Sequence, residues 1–373
     1  MILDLPSDDT AEINVIGTGG GYGESIVVHL GGGHWMVVDS CRPPNGPCLP
    51  LAYLKEIGVS PEKVRLLLAT HWHDDHIRGF SHLVEAFPQA EVALAWPHTR
   101  DALYKLVKLD DRAKVKAGIG WASSTRELRL ILRMLESRCG SPGDVDFLQP
   151  QQDMTLLKED EGHIEVIALS PSARTIRNYM RDIIRVIERQ EKSTDLRIVF
   201  KKPNLLSIAA YLKMHYHRAI LGADLEAKTN GGWSQIIDKC KGLKGQPRAT
   251  LFKVPHHGSE NAYDARVWES LLDEGVIANI APWNLNGMLP TEEMLKKYGH
   301  LTKELYLTCD HQVMLTYREQ KIKQAFRQLN IKLDPVKYVH GHIRSRINIT
   351  SPESKWKVEY RGTAKKYSAP ATV

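Results

Sequence analysis

At 373 residues with 42% hydrophobic side chains, the chain can bury a large core, as one α/β or sandwich domain or as two smaller ones. Lys plus Arg exceed Asp plus Glu by 50 − 44 = 6, a mild positive balance that permits an anionic substrate without demanding one. The odd set Cys41, Cys48, Cys139, Cys240 and Cys309 contains no C-x-x-C pair, which argues against a disulfide framework or a cysteine zinc site and for a reducing cytoplasm; the acidic start and the lack of a long apolar run predict neither a signal peptide nor a membrane span.

Taken in order, Ile13–Ile16 reads as a strand and Gly17–Gly23 as a glycine-rich turn. Ser25–Leu30 and His34–Asp39 are strands joined by a Gly31–Gly33 hairpin. Leu51–Ile57 reads as a short helix, Val64–Thr70 as a strand, Ile77–Phe87 as a helix, Glu91–Trp96 as a strand and Thr99–Lys108 as a helix. From about 110 to 193 the pattern changes. Thr125–Arg138 and Ile176–Ile187 carry apolar residues at helical period, with the strand Ile164–Leu169 between them, ending at Ser170-Pro171. Leu205–Leu212, Arg218–Leu221, Thr250–Val254 and Val276–Ala281 follow as strands, and the segment 341–362 could close a sheet. Two sheets covered by helices predict one α+β domain over 1–373, with a helical insertion at about 110–193.

The chemistry concentrates directly after the fourth of these strands, where the chain reads His71-Trp72-His73-Asp74-Asp75-His76. Two imidazoles two residues apart can face one cation, and Asp75 and His76 a second one. Neutral imidazole with carboxylate suits zinc first and manganese second. Asp74 is expected to lie outside the ligand set. Three more strand ends fit such a site. Asp224, after Gly222-Ala223, could bridge two ions held roughly 3.5–4 Å apart. His256 and His257 follow Lys253-Val254-Pro255, and Asp39 could orient a ligand histidine. A divalent ion lowers the pKa of bound water from 15.7 toward about 7, so a metal-bound hydroxide is the expected nucleophile. His71, His73 and Asp224 are expected at one ion and Asp75, His76 and Asp224 at the other. His256 or His257 would bind a developing oxyanion or protonate a leaving group, and Asp75 is counted with them as catalytic.

With these residues in place the chain resembles the metallo-β-lactamase superfamily, whose signature is the H-x-H-x-D-H run. It looks most similar to the hydrolase domain of the competence DNA-uptake proteins. That resemblance rests on Gly21-Tyr22-Gly23-Glu24-Ser25-Ile26-Val27-Val28, on Asp39, on Asn204-Leu205-Leu206-Ser207, on Gly222-Ala223-Asp224 and on Lys253 to Ser259. It implies the αββα sandwich with metals at the strand ends. It also exposes two departures: Leu169-Ser170-Pro171 stands where many members carry a ligand histidine, and Leu289 where the competence type carries another. Metal number therefore stays open, with His256, His257 or an asparagine as substitute donors.

Three functions follow. A metal-dependent phosphodiesterase on nucleic acid is favoured by the His-His-Gly-Ser string and by Arg174, Arg177, Arg181, Arg185 and Arg189, a stripe of candidate phosphate contacts on one helix face, with Arg126, Arg129 and Arg133 forming a second. The bland alternative is a solvated face, partly neutralised by Glu127, Asp182 and Glu188. A hydrolase of a small phosphodiester, cyclic nucleotide or other ester would use the insertion as a lid. A non-catalytic partner or sensor would keep only part of the metal site.

Overall fold

The computed structural model describes residues 3–19, 22–43, 46–95, 124–140, 145–192, 203–228, 231–283, 288–310 and 340–368. The first half of the chain builds β1 (Thr10–Gly17), β2 (Glu24–His29), β3 (Trp35–Val38), β4 (Val64–Ala69) and β5 (Glu91–Leu94). β6 (Met154–Glu159), β7 (Ile164–Ala168), β8 (Ala210–Met214), β9 (His217–Leu221), the short β10 (Ala227–Lys228), β11 (Ala249–Lys253), β12 (Leu272–Ile280) and β13 (Leu305–Leu307) follow. The end supplies β14 (Gly341–Asn348), β15 (Lys357–Arg361) and β16 (Lys365–Lys366). Sheet A runs β15-β14-β1-β2-β3-β4-β5, and sheet B runs β16-β13-β12-β11-β9-β8-β7-β6. Both are mixed: β3, β4 and β5 are parallel in sheet A, as are β9, β11, β12 and β13 in sheet B.

Strand alternation decides which faces meet. Ile13, Val15, Ile26, Val28, Leu66 and Leu68 of sheet A join Val166, Leu212, Ala219, Leu221 and Leu251 of sheet B in one core between the sheets. The alternate residues face helices. Val27, Val37, Leu67 and Ala69 pack with α1 (Leu49–Glu56), α3 (Phe80–Ala86), α4 (Ser124–Cys139) and α5 (Ala173–Lys192). Ile220, Phe252, Ala278 and Leu307 pack under α6 (Gly232–Lys239), α7 (Ala265–Ser270) and α8 (Glu292–Leu301). The result is helix, sheet, sheet, helix, as the strand pattern predicts. Among the described residues no helix is long and apolar enough to cross a membrane.

Several sequence expectations shift. The helix expected over Ile77–Phe87 splits into the single turn α2 (Asp74–Ile77) and α3, because Gly79 adopts φ 85° between them. The strand expected over Leu205–Leu212 starts only at Ala210, since Pro203–Leu206 forms a 3₁₀ turn. Segment 110–193 is no purely helical insertion: β6 and β7 pair antiparallel and β7 pairs β8, so both belong to sheet B. Among the described residues of that segment, α4 and α5 lie outside the sheet. Segment 341–362 does close sheet A, with β14 beside β1. The helix expected over Thr99–Lys108 and the end of the strand at Trp96 lie outside the described residues.

Candidate active site

The site forms where both sheets end. Buried β4 delivers Thr70 and His71, and the chain then turns into α2. Asp224 follows β9, and His257 follows β11 in a tight turn with its own φ at 55°. Among the described residues, three groups have donor atoms within 4.8 Å of one another: Asp75, His76, Asp224 and His257; His71, His73 and Asp224; and Asp39, His71 and His76.

The hydrogen bonds sort these groups. Asp39 accepts from the Thr70 backbone N–H (2.7 Å), from the Thr70 hydroxyl (2.7 Å) and from His76 Nδ1 (2.7 Å). Its oxygens are therefore occupied, which makes it a carboxylate that orients ligands rather than one of them. Since the Thr70 hydroxyl gives its proton to Asp39, it accepts from His71 Nδ1 at 3.0 Å. One carboxylate thus fixes two imidazoles, one directly and one through Thr70, and turns both Nε2 atoms toward Asp224. Sequence reasoning missed Thr70, whose only signal is its place before the histidine run. On the other sheet, His257 Nδ1 donates to the Ala281 carbonyl at 2.8 Å, which again aims Nε2 inward.

The inward atoms crowd together. His71 Nε2 lies 3.1 Å from His73 Nδ1 and 3.6 Å from Asp224 Oδ2. His76 Nε2 lies 3.3 Å from Asp224 Oδ1 and 3.6 Å from Asp75 Oδ2, and His257 Nε2 lies 3.3 Å from Asp75 Oδ2. His76 Nε2 and Asp224 Oδ1 are buried without a hydrogen-bond partner. Buried polar atoms are rarely left so. A nitrogen- and oxygen-rich set with two unsatisfied, inward-facing donors fits a divalent ion at each of the two groups that share Asp224.

Electrostatics point the same way. Burial, aided by the nearby His76, pushes the His71 imidazole well below its usual range, and burial lowers His73 too. For His76 burial also disfavours charge, but Asp224, Asp75 and Asp39 outweigh it and hold the ring well above its usual value. His257 is raised against burial by Asp224, Asp75 and Glu24. In return, burial pushes Asp75 and Asp224 up, yet the charges of His76 and His257 bring both below the ordinary carboxylate range. Three buried carboxylates call for positive charge at this point. Protons on the His76 and His257 nitrogens and divalent cations are alternative ways to supply it.

The structure brings His71, His73, Asp75, His76 and Asp224 together and sets Asp39 behind them. It adds His257 to the Asp75–His76–Asp224 group, the substitute-donor position among the roles expected for it, alongside that of an acid or oxyanion binder. Asp74 is half exposed and outside all three groups, as expected. His256 belongs to none of them. Its Nδ1 donates to Asn261 Oδ1 at 3.0 Å and its Nε2 accepts from Asn204 Nδ2 at 3.1 Å. Ser170 is spent on the backbone, donating to the Ser207 carbonyl (2.7 Å) and accepting from Ala209 N–H (2.9 Å). Leu289 pairs its backbone with Trp283.

Comparison with known proteins follows this geometry. The chain is similar to the MIM-2 metallo-β-lactamase (14% identity over 72% of this chain and 85% of that one, TM-score 0.34). It is similar to the short form of human tRNase Z (14%, 83% and 94%, TM-score 0.34) and to a β-lactamase from Chitinophaga pinensis (11%, 63% and 72%, TM-score 0.31). No curated protein matches the chain. The family model described as the metallo-β-lactamase superfamily matches residues 18–133, the segment that holds Asp39 and the whole His71–His76 run. With two mixed sheets between helix layers and a His/Asp cluster at their ends, the chain has the metallo-β-lactamase fold.

Proposed function

We propose that this protein is a metal-dependent phosphodiesterase acting on nucleic acid. The observation that carries the hydrolase part is the pair of donor groups that share Asp224. His71, His73 and Asp224 would hold one ion, and Asp75, His76, Asp224 and His257 the other. When bound, such ions supply Lewis acidity and an activated water at neutral pH. Three protein donors with an open position is the pattern of catalytic rather than structural zinc, and the His71–His73–Asp224 group has that number.

The chain's own residues supply the rest. Asp39 and Thr70 hold His76 and His71 in the required tautomers. His256, half-buried beside His257 with ring centroids 6.0 Å apart, is held at both ring nitrogens. Its Nε2 is an acceptor able to take or return a proton near a leaving group, a role worth typically about 10²–10⁴-fold. Asn204 orients that nitrogen.

The polymer part of the reading rests on α5. Arg174, Arg177, Arg181 and Arg185 are exposed, while the side chain of Arg189 lies outside the described residues. At 100° per residue these four point away from Tyr179 and Ile183, which are buried in the core. Tyr179 packs edge-on against Trp72 at 5.8 Å, so the arginine helix is seated on the ligand loop itself. Among the described side chains, Asp182 pairs with Arg185 and Asn178 accepts from Arg181. An exposed cationic stripe of this length suits a long polyanion better than a small ester. On α4, Arg126 and Arg133 are exposed, but Arg129 is half-buried, so no equal stripe forms there. Leu128, Ile131, Leu132 and Leu135 anchor that helix in the core, which favours a fixed wall over a moving lid.

The test is metal analysis of purified protein, then cleavage assays with zinc or manganese on single-stranded and duplex DNA, RNA and a chromogenic phosphodiester. Stoichiometric metal without cleavage of any phosphodiester would remove this reading and leave a hydrolase of another ester or the sensor.

A further inference from the structure

Beneath the donor cluster the two sheets are joined by an ion pair. Glu24 opens β2 in sheet A, and Lys253 closes β11 in sheet B. Their side chains are 3% and 0% exposed, and Lys253 Nζ donates to Glu24 Oε1. Glu24 Oε2, buried without a hydrogen-bond partner, lies 3.7 Å from His257 Nδ1.

Each partner sits against backbone that carries a candidate ligand. A Cβ on Gly23 would fall 1.9 Å from the Asp75 carbonyl oxygen, so the residue beside Glu24 is pressed onto the ligand loop of sheet A. Gly222 N–H donates to the Lys253 carbonyl at 3.0 Å, and a Cβ on Gly222 would fall 2.7 Å from that oxygen. Two residues later comes Asp224, and four residues after Lys253 comes His257. A continuous path of close contacts therefore runs from Asp75 through Gly23 and Glu24 to Lys253, and from there to Asp224 and His257.

We infer that the Glu24–Lys253 pair sets the spacing between the donors of the two sheets. The inference rests on the metal-site reading above. Stability alone does not account for the pair, since well-packed apolar residues often replace a buried ion pair without loss. A charged hydrogen bond differs from apolar packing in fixing both distance and direction. Two ions sharing Asp224 need donors from both sheets placed to within a few tenths of an ångström, and apolar contact across the sandwich would leave that distance soft. Glu24 and Lys253 are positioning residues; neither joins a donor group.

The experiment titrates zinc into metal-stripped full-length protein and follows thermal melting in parallel. Replacing both partners, Glu24→Leu with Lys253→Met, removes both charges at once and so avoids stranding one of them. We expect a folded double variant that binds zinc about 10–100-fold more weakly than wild type, the range seen when groups orienting ligands are lost. Should that variant fail to fold, Glu24→Gln, which keeps an acceptor oxygen for Lys253, carries the same test with a smaller expected loss of several-fold. A folded variant that binds zinc within about twofold of wild type, even with a lowered melting temperature, overturns the inference and leaves the pair a purely structural tie. A wild type that takes up no zinc at all overturns the metal-site reading itself.

Discussion

Sheet A delivers its share of the candidate site from one loop, while sheet B delivers single residues from separate strand ends. His71, His73, Asp75 and His76 leave β4 together, and Asp39 on the neighbouring strand end organises two of them through contacts of 2.7–3.0 Å. Asp224 and His257 come from different strands, each fixed by its own turn. The donors of sheet A can therefore hold their geometry locally, whereas those of sheet B depend on strand register and on ties across the sandwich. The two donor groups that share Asp224 differ accordingly. One takes His71 and His73 from sheet A plus Asp224; the other takes two donors from each sheet.

Asp224 belongs to both groups, so its loss should have the largest effect. We expect Asp224→Asn to reduce bound metal from two ions to less than one and to abolish hydrolysis; full metal content in a folded variant would break the shared-ligand picture. One step smaller, His71→Ala and His257→Ala should each remove one ion, and a different one. The four-donor position should fill first when zinc is limiting, because it retains more donors. If His257→Ala binds both ions as wild type does, sheet B contributes only Asp224 and the comparison collapses to a single shared carboxylate.

How much of this was readable beforehand follows the same division. Four donors in six residues are visible in a bare sequence because the loop is contiguous, and the sandwich is visible because strand alternation is local. Asp224 and His257 were legible only as strand ends, and the donor role of His257 needed the Ala281 carbonyl to show which nitrogen faces inward. Glu24 and Lys253 were illegible as a pair. They are 229 residues apart, and a charged residue at a strand end ordinarily reads as surface. Gly79 hid the break between α2 and α3, since its neighbours keep the helical period on both sides. The helix Glu292–Leu301 did carry a signal: Thr291 caps it by accepting from Met294 N–H.

The arginine helix sharpens the contrast between loop and polymer track. Replacing Arg177, Arg181 and Arg185 by Gln should flatten the slope of log affinity against log salt by up to roughly two or three units, at about 0.9 per phosphate contact on duplex DNA. Turnover of a small phosphodiester should survive, because these side chains face away from the core contact at Tyr179. Salt-independent binding of nucleic acid by the wild type would remove the track.

The smallest expected effect concerns stability and separates the sheets by pH. His29 on β2 is buried, with Nδ1 donating to the Thr10 carbonyl (2.7 Å) and Nε2 accepting from Gly33 N–H (3.1 Å). Protonating Nε2 would set two donors against each other in a dry environment. Burial accordingly lowers the imidazole from 6.5 to about 4. His342, on β14 of the same sheet, is held well below its usual value for the same reason, with Arg361 adding to it. The unfolded chain takes up a proton on His29 below about pH 6.5 and the folded one only near 4, so between these values the unfolded state holds more protons. The contribution is fully present above pH 6.5 and is lost as pH falls toward 4, amounting to about 2 kcal/mol at pH 5 and about 3 kcal/mol near pH 4. Denaturant unfolding of wild type and His29→Gln at pH 7 and pH 5 measures it. The wild type should lose about 2 kcal/mol more than the variant over that interval; equal losses would show that acid acts on the molecule elsewhere than through this sheet A histidine.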